Sequence, residues 1–135
     1  PTLALRLAAQ QQAALALAEA LQDDVGVGRL AAVHHPWLPT HPDHALAKAQ
    51  MTGGGTVVAF EVHGGLAGAR AMFDRLQHIA RAPSLGGVES LATLPAFTTH
   101  ASLTPAQRQQ AGIPDGLVRV SVGLEGVAVL LADLR

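Results

Sequence analysis

Residues 2 to 22, TLALRLAAQQQAALALAEALQ, contain no glycine and no proline and are rich in alanine, leucine and glutamine, all strong helix formers. A helix of about 20 residues spans about 30 Å. Its polar residues are too few to make a wide wet face, so two of its sides are expected to be covered. Asp23, Asp24 and Gly26 close it. The whole chain shares this bias, with 49% hydrophobic and only 14% charged residues, against roughly 25% charged in typical soluble domains. Part of the surface is therefore expected to lie against something else.

At 135 residues the chain has the length of one domain and can bury its own core. Nine Lys and Arg residues stand against ten Asp and Glu, with the arginines scattered singly, which argues against nucleic acid or an anionic membrane as partner. The absence of cysteine excludes a disulfide framework and thiolate chemistry and fits a reducing compartment. There is no charged-then-apolar leader and no run of about 18 apolar residues, so a soluble, cytoplasmic protein is expected. The chain begins at Pro1, directly in helix-forming sequence, which is expected to follow processing or truncation.

Along the chain, GRLAAVHHP reads as a short strand stopped by Pro36, followed by a rigid loop with three prolines. Pro42 and Asp43 suit the first turn of a helix running to about Met51. TVVAFEV, residues 56 to 62, alternates as a strand, with His63-Gly64-Gly65 as its turn. Ala69, Met72, Phe73, Leu76 and Ile79 form a core-facing helical stripe. VESLAT reads as a second extended piece. Thr104, Pro105 and Gln107 make a capping box, and Gly112 closes that helix. GLVRVSVG is another strand, and the last ten residues read as a helix. Interleaved helices and short strands with tight connections predict an α+β sandwich: a small, mainly antiparallel sheet with helices on one face.

Four histidines, His34, His35, His41 and His44, lie within eleven residues. Three prolines fix their loop, no acidic pair or cysteine completes a ligand spacing, and His34 and His35 point to opposite faces of a strand. They are read as structural or surface residues, with no metal site. Gly53-Gly54-Gly55 precedes a strand, the reverse of a phosphate loop, and reads as a turn of close backbone approach. Arg119 is a sharper feature. In LVRVSVG, period 2 puts Leu117, Arg119 and Ser121 on one face and Val118, Val120 and Val122 on the other. If the first face is covered, a guanidinium there needs an anion. That anion is either internal, Glu125 or Glu89, or a ligand carboxylate or phosphate, for which the planar fork is a natural receptor. In SLGG, residues 84 to 87, a double-glycine bend exposes backbone N–H groups that an anion can use; a bulge between two strand pieces is the alternative.

Several blocks in order, TLALR (2 to 6), HPWLPTHPDHALAKAQM (35 to 51), VVAFEV (57 to 62), SLGGVESL (84 to 91), PAFTTHAS (95 to 102) and GLVRVSVGLE (116 to 125), cover nearly the whole chain. Together they resemble the C-terminal domain of the Cys/Met-metabolism enzymes that depend on pyridoxal phosphate (PLP), the family of cystathionine γ-synthase, cystathionine lyases and methionine γ-lyase. The resemblance implies that residues 1 to 135 are a single substrate-binding domain of a fold-type-I PLP-dependent transferase or lyase, a homotetramer when intact. It implies that Arg119 forms a bidentate salt bridge to the α-carboxylate of an amino-acid substrate, that Ser84 and the backbone of Leu85 hold the same carboxylate, and that Thr99 lies near the cofactor.

The family's N-terminal cofactor domain, with its Schiff-base lysine, has no counterpart among these motifs. Lys48, the only lysine, sits in a helical ALAKAQ and reads as a surface residue. The chain alone is therefore expected to hold no catalytic residue and to be inactive, with PLP bound mainly elsewhere. Ala82-Pro83-Ser84 is most like γ-synthase-type members. The family's acidic residue after Gly-x-Glu is Gly126 here, and the final helix lacks the usual charges. A reading of another class is a non-catalytic interaction module that kept the fold without the chemistry.

Overall fold

The computed structural model describes residues 1 to 135. In chain order its elements are α1 (Leu3–Gly26), β1 (Leu30–His34), α2 (His44–Gln50), β2 (Val57–Val62), α3 (Gly65–Arg75), β3 (Ala80–Arg81), β4 (Leu91–Thr93), α4 (Pro105–Gln110), β5 (Leu117–Ser121) and α5 (Val127–Leu134). The strands form one sheet in the order β1-β2-β5-β4-β3. Three pairings are antiparallel and only the edge pair β3/β4 is parallel, so the sheet is mainly antiparallel as expected.

Alternation along β5 sorts the two faces. Val118, Val120 and Val122 are fully buried, and the register sets Phe60 beside Val118, and both Val58 and Ala92 beside Val120. This apolar face carries α1, α3 and α5, and together they form a cluster of 19 buried residues. α1 contributes one stripe, Gln10, Ala14, Leu17, Ala18 and Leu21, which packs on β1, β2 and α5. Within these residues one side of α1 is covered. The opposite side is kept wet by Gln12, Glu19 and Asp23, and its first turns leave Leu3 and Leu5 at 64% and 75% exposure. No helix is long and apolar enough to cross a membrane.

The stripe predicted from Ala69 to Ile79 is buried at Ala69, Met72, Leu76 and Ile79, but α3 stops at Arg75. Leu76 turns to an extended conformation, and the next three backbone N–H groups, of Gln77, His78 and Ile79, all donate to the Asp133 carboxylate at 2.8 to 3.0 Å. Groups bonded to that acid cannot continue the helical ladder. Carbonyls at the end of α3 accept from Arg81, which donates to those of Phe73, Asp74 and Leu76. The segment that would have been helix becomes the approach to β3. Elsewhere local signals hold: the Thr104 and Gln107 capping box is present in both directions. α2 begins at His44, and Asp43 makes no side-chain cap.

Candidate functional site

The second face of β5 differs from the first. Ala59, Arg119 and Thr93 lie side by side across β2, β5 and β4, and Val57, Ser121 and Leu91 form the next row. Ala59 is small, which leaves room over the sheet for the half-buried Arg119 side chain.

The Arg119 guanidinium meets no acid in this chain. Nη2 donates to the carbonyls of Pro83 at 2.7 Å and Ser84 at 3.2 Å, while Nε is buried and has no partner. Of the two internal acids that were alternatives, Glu125 is engaged elsewhere: it accepts from the backbone N–H and, at 2.7 Å, from the hydroxyl of Ser90. None of the four ion pairs in the molecule, one of which is Arg108 with Asp115, includes Arg119 or Glu89.

The segment from Pro83 to Ser90 is held over this face at several points. Gly86 N–H donates to the Ser121 hydroxyl at 3.1 Å, and Gln10 Nε2 donates to Gly87 O at 2.7 Å and Val122 O at 3.0 Å. Leu124 N–H donates to Val88 O, and Gly123 N–H to the Ser90 hydroxyl. Gly86 has φ +81°, which a side chain would strain, and a Cβ on Gly123 would collide with the Val88 carbonyl. The double-glycine stretch is therefore a stapled loop. Within it the Ser84 hydroxyl and the Leu85 N–H have no partner, and both residues are exposed.

Arg119, Ser84 and Leu85 are thus brought together. Thr99 is not joined to them: it is exposed, and its hydroxyl bonds the His100 ring at 2.8 Å. The threonine linked to the Arg119 row is Thr98, which shares a 2.7 Å bond with Thr93. Sequence reasoning also missed Gln10. Its signal was a polar side chain placed on the core stripe of α1, four residues before Ala14 and seven before Leu17.

The histidine-rich segment gathers no metal-binding group of three ligands. His34 is exposed and His35 is buried at 1% exposure. His35 Nδ1 accepts from Trp37 N–H at 3.2 Å and Nε2 lies 3.4 Å from Gly55 O, a pattern that requires the neutral ring. Burial lowers its pKa from the ordinary value of 6.5. Lys48 is exposed, with its ammonium 3.4 Å from the Trp37 ring centroid.

A family model described as "Cys/Met metabolism PLP-dependent enzyme" matches residues 1–135. L-methionine gamma-lyase of Pseudomonas deceptionensis is 46% identical over 134 residues, which are 99% of this chain and 33% of the relative. Cystathionine gamma-lyase of Dictyostelium discoideum is 43% identical over 98% of this chain and 34% of its own. Among solved structures, cystathionine gamma synthase from Xanthomonas oryzae pv. oryzae in complex with aminoacrylate and cysteine superimposes with a TM-score of 0.89 at 48% identity, covering 99% of this chain and 34% of that one. The chain spans about a third of the length of the relatives it matches. With a match over every residue and the same fold in the solved relatives, it belongs to the Cys/Met metabolism family of PLP-dependent enzymes.

Proposed function

We propose that residues 1 to 135 are the substrate-binding domain of a PLP-dependent enzyme of sulfur amino-acid metabolism, of the cystathionine γ-synthase or lyase type, and that Arg119 receives the α-carboxylate of the amino-acid substrate. The observation that carries this reading is the unmatched guanidinium: a half-buried cation with an orphaned Nε, no acidic partner, and the free Ser84 hydroxyl and Leu85 N–H on the same loop. A carboxylate placed there gains charge-assisted bonds worth roughly 1.5 to 3 kcal/mol each. The relative solved with aminoacrylate and cysteine carries ligands of this chemistry.

PLP is the family's cofactor and serves as its electron sink. Its seat would lie mainly outside these residues, since the one lysine here, Lys48, stands over Trp37 in a helix with no Schiff-base motif around it. This chain's part is therefore orientation: Arg119 and the stapled loop would hold one end of the substrate at a set place and angle. The exposed Leu3, Leu5 and Leu7 of α1 support contact with the rest of the enzyme and with other subunits, in the tetramer that the family resemblance implies.

In the full-length enzyme Arg119→Ala is expected to raise KM for the amino acid at least about tenfold, since one charge-assisted bond suffices for that factor, and to leave the cofactor absorbance intact. Arg119→Lys, which keeps charge but loses the fork, should fall between. An unchanged KM in Arg119→Ala would overturn the assignment.

A further inference from the structure

On the helix side of the sheet, away from Arg119, α1, α3 and α5 do not close fully over β1 and β2. They leave a cleft of about 590 Å³, within the roughly 300 to 1,000 Å³ of small-molecule sites. Its apolar surface comes from the half-buried Leu30 and Val62 and the exposed Ala71, above Leu21, Phe60 and Met72, which the fold already covers. Its rim is cationic, with Arg29, Arg75 and Arg135.

One carboxylate faces these three guanidinium groups. Asp24, buried on α1, pairs with Arg29 at 3.3 Å and with Arg135 at 3.1 Å. Counting Asp24 here and Asp133 in the adjoining groove, three cations meet two anions, an excess of one positive charge at the rim. Asp133, in the adjoining groove that shares Arg75 and Arg135, has its oxygens committed to the N–H groups of residues 77 to 79. Arg75, exposed at the end of α3, makes neither an ion pair nor a hydrogen bond through its side chain. The geometry combines an open basic rim with apolar walls at Leu30, Val62 and Ala71. Such a combination is complementary to a ligand with an anionic head and an apolar body.

We infer that this cleft is a binding site for a small amphiphilic anion, an apolar body bearing a carboxylate or phosphate, with Arg75 as the main contact of the head group. Asp24 already holds Arg29 and Arg135 in place, so less side-chain freedom is lost when a ligand binds. The cleft lies on the opposite face of the sheet from Arg119, and its occupancy is independent of the substrate assignment there.

Calorimetric titration of the full-length protein with sodium octanoate, octyl phosphate and inorganic phosphate tests this. At least one of the two amphiphiles is expected to saturate one site per chain, and the better of them tells a carboxylate from a phosphate head. Inorganic phosphate, which lacks the apolar body, should bind at least about tenfold more weakly. Arg75→Ala should weaken the amphiphile at least about tenfold. Ala71→Trp, one helical turn before Arg75 at an exposed position on the cleft wall, should abolish binding by filling the space. Arg119→Ala should bind as the wild type does. Absence of saturable binding by both amphiphiles, unchanged affinity in both Arg75→Ala and Ala71→Trp, or loss of binding in Arg119→Ala would each overturn the site.

Discussion

His35 shows how much one side chain can commit. Its ring is enclosed and held neutral between Trp37 N–H and Gly55 O, and burial is the main reason its pKa falls below 6.5. The folded state therefore resists the proton that the unfolded chain accepts. Stability from this residue is full above the unfolded pKa and is lost as pH falls through about 6.5, with a slope of up to about 1.4 kcal/mol per pH unit. Melting temperature measured at pH 7.5 and 5.5 should drop on acidification, and His35→Asn should narrow that drop; an equal drop in both proteins would contradict it. The sequence showed that His34 and His35 face opposite ways, because strand alternation is local. It did not show which one is buried, because that depends on the Gly53 to Gly55 turn folding over the ring, where a Cβ on Gly54 would strike both His35 and Trp37.

Elements were legible as far as their causes are local. The capping box of α4 and the alternation of β2 and β5 involve neighbours a few residues apart, and each forms as read. The end of α3 was not legible, because its stop signal is a carboxylate more than fifty residues away. Asp133 is pulled two ways: burial pushes its pKa up, and the N–H groups of Ile79, Gln77 and His78 outweigh this and hold it below 3.8. Its bonds are thus present above the unfolded pKa and are lost as pH falls through the lower folded value. Asp133→Ala is expected to destabilise by about 1 to 3 kcal/mol in urea unfolding, the usual penalty for orphaned donors, with Asn milder than Ala. Equal stability of Asp133→Ala and wild type would show that water replaces the carboxylate. The last helix uses the one charge it has, Asp133, on residues 77 to 79, and Arg135, which follows it, pairs with Asp24.

At the scale of the whole molecule, Gln10 ties the first helix to both the Pro83 to Ser90 loop and the end of β5, across 77 and 112 residues. Gln10→Ala removes both donors and leaves two carbonyls unmet at a buried position, a loss of about 1 to 3 kcal/mol. If the loop positions a substrate carboxylate, KM should rise several-fold with kcat little changed; a fall in kcat at constant KM would place the role of Gln10 elsewhere. Local pattern along the chain predicts the helices and most strands and the mainly antiparallel sheet with its helices on one face, whereas the family, and with it the joining of Arg119 to the SLGG bend as a candidate site, rests on the resemblance of ordered motifs. Periodicity and capping are properties of residues close along the chain, and the order of motifs is read without any contact between them. Only the tertiary structure decided which polar groups satisfy which: that Glu125 takes Ser90 and leaves Arg119 open, that Thr98 rather than Thr99 joins its row, and that three arginines converge on an apolar cleft. Partner choice among buried polar groups follows distances set by sheet register and helix packing. Those distances connect residues that the sequence holds far apart.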